Sequence, residues 1–205
     1  MKHKHISFLA TFFTICLTYT PILAQYPYTH RVDAVANEIT YEVTRVLDKR
    51  LYLNNIANVL DNELIVWTDG TVVEENDYLS LKLGELNTGS VYRAIRETFT
   101  ESEYQILESG KDWMDVLFVI DPCGKILEVD FTINVSPRTE AISPDKYALF
   151  EQNLKKYVTY SITEDMARLQ FWRTIHNLNF GMLGVSYFKA ELNPGDRSDS
   201  SQTHE

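Results

Sequence analysis

The chain has 205 residues, 44% of them hydrophobic, and carries 29 acidic against 19 basic side chains for a formal charge of −10. A net negative surface argues against nucleic acid and against anionic lipid as partners. The two cysteines are Cys16 and Cys123, and only the second lies beyond the N-terminal leader, so the exported fold is expected to rest on its apolar core without an intramolecular disulfide.

The first element is a leader. Lys2, His3, Lys4 and His5 form a basic start, residues 6–17 are mostly apolar, Thr20 and Pro21 interrupt the run, and Ala24 precedes Gln25. A positive segment, an apolar segment and a small residue at a cleavage point describe a secretory signal peptide. A spanning helix needs ~20 predominantly apolar residues, more than this run supplies. Residues 1–24 are therefore expected to be cleaved, leaving a periplasmic or secreted protein without a membrane span. Ile15 before Cys16 is too bulky for a lipidation signal. Cleavage removes Cys16, Lys2 and Lys4, so Cys123 remains as the one thiol and the charge becomes −12. Residues 25–192 are read as a single domain, and the polar stretch 193–205, with Pro194 and Gly195, as a disordered tail.

Val32, Val35, Ile39, Val43 and Val46 recur at helical spacing, and Asp33 is a suitable cap, so a helix is expected there. The same stretch is rich in Val, Ile, Thr and Tyr, which favour strand. Residues 64–67 and Val72-Val73 flank Asp69-Gly70 and suggest a hairpin. Leu79, Leu81 and Leu83 alternate as in a strand. Val91, Ile95 and Phe99 stripe a helix, and Thr100 with Glu103 forms a capping-box pattern for a short helix after it.

The clearest local signal is a second hairpin. Residues 116–120 are continuously apolar, and Asp121-Pro122-Cys123-Gly124 carries turn chemistry at each position. Leu127, Val129, Phe131 and Ile133 then alternate with Glu128, Asp130 and Thr132, the pattern of a half-buried strand. After the loop 134–142, Ser143 is a natural N-cap and Pro144 suits the first helical position; Tyr147, Phe150, Leu154, Tyr157 and Val158 share one face. Ser161 with Glu164 suggests another helix running toward Trp172, and residues 182–192 a closing strand. Strands and helices without strict alternation define an α+β class, with a mostly antiparallel sheet and helices on one face.

Candidate chemistry is thin. His176 is the one histidine well inside the folded region, and a single histidine makes no multi-histidine metal site. Cys123 in a tight turn is a candidate reactive thiol, but with no resolving cysteine. Glu128 and Asp130, two apart on one strand face, stand ~6–7 Å apart at Cα, a spacing that suits paired carboxylates and equally a solvated face. The solvated face is the expectation. The acidic run Glu74, Glu75 and Asp77 lacks the spacing of a calcium loop. The sequence assigns no catalytic, cofactor-binding or metal residue. Abundant Tyr and Trp supply material for an interface without naming its members.

Residues 116–133, with the Asp121-Pro122-Cys123-Gly124-Lys125-Ile126 turn, followed by Ser143-Pro144-Asp145, Phe150-Glu151 and Leu154-Lys155-Lys156, resemble small uncharacterised secreted proteins of Bacteroides-type Gram-negative bacteria. The resemblance spans roughly residues 90–165 and implies no activity. The same stretch is more loosely similar to the C-terminal domain of TonB-type transducers. It departs from that pattern where Trp172 is followed by Arg173 and Thr174 without a proline. The expected function is binding of a protein or envelope component through the sheet and its aromatics. The alternatives are a glycan or lipid carrier, or an envelope hydrolase with a dispersed site around His176, Glu128 or Asp130.

Overall fold

A computed structural model describes residues 31–34 and 38–183. The leader, the tail and most of the expected closing strand lie outside the described residues. In chain order the elements are β1 (Arg31–Ala34), β2 (Ile39–Val46), β3 (Arg50–Asn55), α1 (Glu75–Ser80), α2 (Thr88–Thr98), α3 (Glu101–Gly110), β4 (Trp113–Ile120), β5 (Ile126–Asn134), α4 (Pro144–Tyr157) and β6 (Trp172–Asn179). The strands form one six-stranded sheet in the order β1-β2-β3-β5-β4-β6, with every pairing antiparallel. The class is α+β, as the sequence implies.

The β4–β5 hairpin lies inside the sheet, between β3 and β6. Asp121 Oδ1 accepts from the backbone N–H of Cys123 and of Lys125, both at 2.8 Å, and Gly124 takes φ +82°. A side chain there would also strike the Tyr160 carbonyl, 2.3 Å from where its Cβ would sit. The hairpin carries a bulge: Val119 pairs with Glu128 but Ile120 with Ile126. The bulge turns Ile126 into the core and leaves Leu127, expected to face inward, exposed.

One sheet face is covered by helices. Phe131 lies 5.8 Å from the Phe150 ring in a stacked arrangement and 5.7 Å from Tyr147, which fixes α4 across β5. Phe180 packs edge-on against Phe99 and Tyr104, tying the ends of α2 and α3 to the same core. Aromatic pairs of this kind contribute ~0.5–1.5 kcal/mol each beyond their burial. The capping box of α3 forms as its sequence predicts, Thr100 and Glu103 bonding each other's backbone N–H. Ser143 occupies the N-cap of α4, but its side chain makes no capping bond.

Four sequence expectations fail on tertiary grounds. The helix expected over residues 32–46 is the β1–β2 pair. Tyr41 and Val43 are buried while Glu42 and Thr44 are exposed, a period of two that the wider helical stripe concealed. Strand pairing satisfies the β-branched residues better than a helix would. The strand expected at Leu79–Leu83 is replaced by α1 and an irregular segment, and Leu79 remains 75% exposed. Between Ser161 and Trp172 only a 3-10 turn, Met166–Arg168, forms; Asp165 stands at its N-cap, and Thr163 Oγ1 accepts the Met166 N–H at 3.2 Å. Ser161 instead holds the backbone of Glu85. Trp172, the expected helix end, begins β6 and pairs with Ile120. Of the strand expected over residues 182–192 only Met182 and Leu183 are described, and they sit in a helical turn. The hairpin expected around Gly70 contracts to a single bridge, Val66 with Val72.

Candidate binding surface

The second face of the sheet divides into a covered end and an open end. At the hairpin end, the loop following β3 folds across it. Glu128 accepts the backbone N–H of Val59 at 2.8 Å and of Leu60 at 3.0 Å. Asp130 accepts from the Asn55 backbone at 2.8 Å and from Asn58 Nδ2 at 2.9 Å. The Arg173 guanidinium closes the arrangement by donating to the Glu63 carbonyl. Glu128 and Asp130 are therefore buried, 8% and 4% exposed, and the solvated face expected from their alternation is corrected: they are anchors for a loop. Burial, the largest cause, raises the Asp130 carboxyl to about 6, with Asp61 and Glu151 adding to it against its hydrogen bonds.

Behind these anchors lies a third buried acid that sequence reasoning passed over. Glu151 of α4 is 1% exposed and accepts from the Tyr41 hydroxyl at 2.8 Å, Asn55 Nδ2 at 2.8 Å and Lys155 Nζ at 2.7 Å. Burial first and the Glu151 charge second push the Tyr41 hydroxyl far above its ordinary range. Asn55 links both acids, its backbone to Asp130 and its side chain to Glu151. The signal that would have found Glu151 is its place on the apolar face of α4, four residues from Tyr147 and one from Phe150.

The other candidates are dispersed. His176 pairs with Val116, whose side chain lies in the core, so His176 faces the helical side from an edge strand, and burial lowers its pKa. Asp130 points to the opposite side, in a row with Leu117 and Ile175, two strands away at ~5 Å per strand. Cys123 is exposed in the turn beyond Ile120, while Val116 opposite His176 lies ~13 Å further back along β4. His176, Cys123 and the Glu128–Asp130 pair thus form no constellation. Among the described residues no group of His, Cys, Asp and Glu is arranged to hold a metal ion.

At its other end the second face is open. Strand register sets Thr44, Tyr52, Thr132, Asp115 and Asn177 in one row across β2, β3, β5, β4 and β6, a row ~19 Å wide. Trp113 stands beside this row with the Arg50 guanidinium 5.7 Å from its ring centroid. Leu117 and Ile175 continue the face, Ile175 at 66% exposed. Asn177 Nδ2 donates to Asp115 Oδ1 at 2.6 Å, an exposed cross-strand pair of one amide and one carboxylate. The outcome is a broad surface on a rigid sheet with aromatic and aliphatic faces set among hydrogen-bonding groups, the composition of a recognition surface.

An antiparallel six-stranded sheet with helices on one face and a half-covered second face is thus the class this fold defines. Among solved structures, it is similar to a DUF5043 family protein from Bacteroides uniformis ATCC 8492, with a TM-score of 0.58 and 19% identity over 75% of this chain and 92% of that one. At that identity the likeness is one of fold. It agrees with the sequence resemblance to uncharacterised Bacteroides-type proteins, and a likeness to TonB-type domains is not shown. No family model matches the sequence, and no curated protein does.

Proposed function

We propose that this chain is an exported binding protein that engages a protein or other envelope component through the open end of its second sheet face. The observation that carries the reading is the arrangement of Trp113, Tyr52, Leu117 and Ile175 on strands whose opposite faces are fixed in the core. A sheet so anchored presents these groups with little ordering cost on binding, and aromatic anchors at the centre of a rigid patch are the usual source of interface energy. Export is inferred from the basic, apolar and small-residue segments of residues 1–24. Support also comes from the dispersal of the candidate catalytic residues described above.

The test is a photo-crosslinking residue placed at Ile175 of the tagged protein in its native cell, with one at Ile106 on the helical side as control. The expected result is one reproducible partner captured through position 175, not through 106, and lost when Trp113→Ala is added. A protein that stays monomeric and captures nothing through position 175 would overturn the reading.

A further inference from the structure

A pocket of about 250 Å³ lies on the helical side, between α3 and the start of α4. It is separate from the open sheet face. Its apolar wall is Ile106, Leu107, Ala141 and Ile142. Leu107 is 1% exposed and forms the floor, while Ile106, 51% exposed, stands at the rim. Its polar lining is Arg138, Ser143, Lys146 and Glu103.

Arg138 is held in place before any ligand arrives. Its Nε donates to Asp112 Oδ2 at 2.7 Å, and Asp112 is itself 1% exposed and steadied by Asn134 Nδ2 at 2.8 Å. The guanidinium lies flat on Gly110, so closely that a Cβ at that glycine would sit 1.9 Å from Nε. Nη2 reaches the Gly110 carbonyl only at 3.5 Å. Among the described residues, Nη1 has no protein acceptor, and the outer edge of the guanidinium is left for another one. A fixed planar fork with unused donors matches a carboxylate, and pre-organisation reduces the ordering cost of binding it.

The acids nearby do not compete for that edge. Asp112 lies behind the guanidinium. Glu103 Oε2 accepts from the Thr100 backbone and hydroxyl and from Lys146 Nζ. Ser143, whose hydroxyl makes no capping bond, also lines the pocket at the N-terminus of α4, an end that favours an anion. The pocket is smaller than the ~300–1,000 Å³ of drug-sized sites, which limits the apolar body to a short acyl chain or a single ring.

We propose that this pocket binds a small organic carboxylate, its anionic end on the free edge of Arg138 and its apolar body against Leu107, Ala141 and Ile142.

Titration of the purified protein with sodium hexanoate, followed by backbone amide NMR, tests this. Saturable shifts are expected at Ile106, Leu107, Ala141, Ile142 and Ser143. Acetate, without an apolar body, and 1-hexanol, without a charge, are each expected to bind at least about tenfold more weakly. Arg138→Gln should weaken hexanoate binding about tenfold. Should that variant fail to fold because Asp112 loses its partner, Ile106→Glu decides, since Ile106 is a rim residue and the new charge repels an anion; it too should weaken binding about tenfold. The proposal is overturned by the absence of saturable shifts at these amides up to about 20 mM hexanoate, by equal binding of hexanol or acetate, or by unchanged hexanoate affinity in folded Arg138→Gln or in Ile106→Glu.

Discussion

The two faces of the sheet use the same strands for opposite purposes. On the helical face, Phe118, Phe131 and Val116 are fully buried among Tyr147, Phe150 and Leu154. On the second face, one end is closed by a loop that hangs on two carboxylates, and the other end holds Tyr52, Trp113 and Ile175 against solvent. The difference teaches what each face contributes. Apolar burial on one side fixes strand register, and register then dictates the order in which polar and aromatic groups appear on the other.

The largest test of this contrast is Phe131→Ala. It removes the ring that joins β5 to α4 and should destabilise by ~3–5 kcal/mol in urea unfolding, with the cavity adding to the lost transfer energy. A loss near that of a surface substitution would mean that α4 is held chiefly by other contacts.

Next in size is Glu151→Ala. It leaves the Tyr41 hydroxyl, Asn55 Nδ2 and Lys155 without their shared acceptor in a buried place, at a cost of ~3 kcal/mol by the same measurement. The loop after β3 should loosen with it, because Asn55 joins Glu151 to Asp130. Faster amide hydrogen exchange at Val59 and Leu60 would show this.

Asp130 supplies a pH test with a defined sign. Its folded pKa, about 6, lies above the ordinary value of 3.8, so the folded state holds its proton more tightly than the unfolded state does. Its contribution to stability is full below pH ~4 and is lost as pH rises through about 6. Relative to Asp130→Asn, the protein should therefore lose on the order of 2 kcal/mol between those limits. Parallel stability curves for the two proteins over that range would show that the carboxyl is not held at the raised value.

The smallest effect belongs to the open end. Ile175→Ser should change thermal stability by less than ~0.5 kcal/mol, because the side chain is largely in solvent already. A larger loss would mean that this part of the face is covered in the working protein.

Much of the fold is legible in residue order because its signals are local. Asp121, Pro122 and Gly124 specify their turn by backbone chemistry alone, Thr100 and Glu103 specify a helix start, and Pro144 with the Tyr147, Phe150 and Leu154 stripe specifies α4. The antiparallel α+β class follows from these pieces. Residues 32–46 were ambiguous because their apolar positions satisfy two periods, and only the partner strand β3 chooses between them. Glu128 and Asp130 show the same limit from the site's side. Alternation along β5 determines that they leave the helical face, but the loop that buries them comes from about 70 residues upstream, as the Asn55 to Asp130 and Val59 to Glu128 bonds record. The sequence by itself determined the elements whose instructions lie within a few residues. Tertiary structure decided which carboxylates are anchors, which aromatics meet solvent and where Arg138 is clamped, because burial depends on segments distant in the chain.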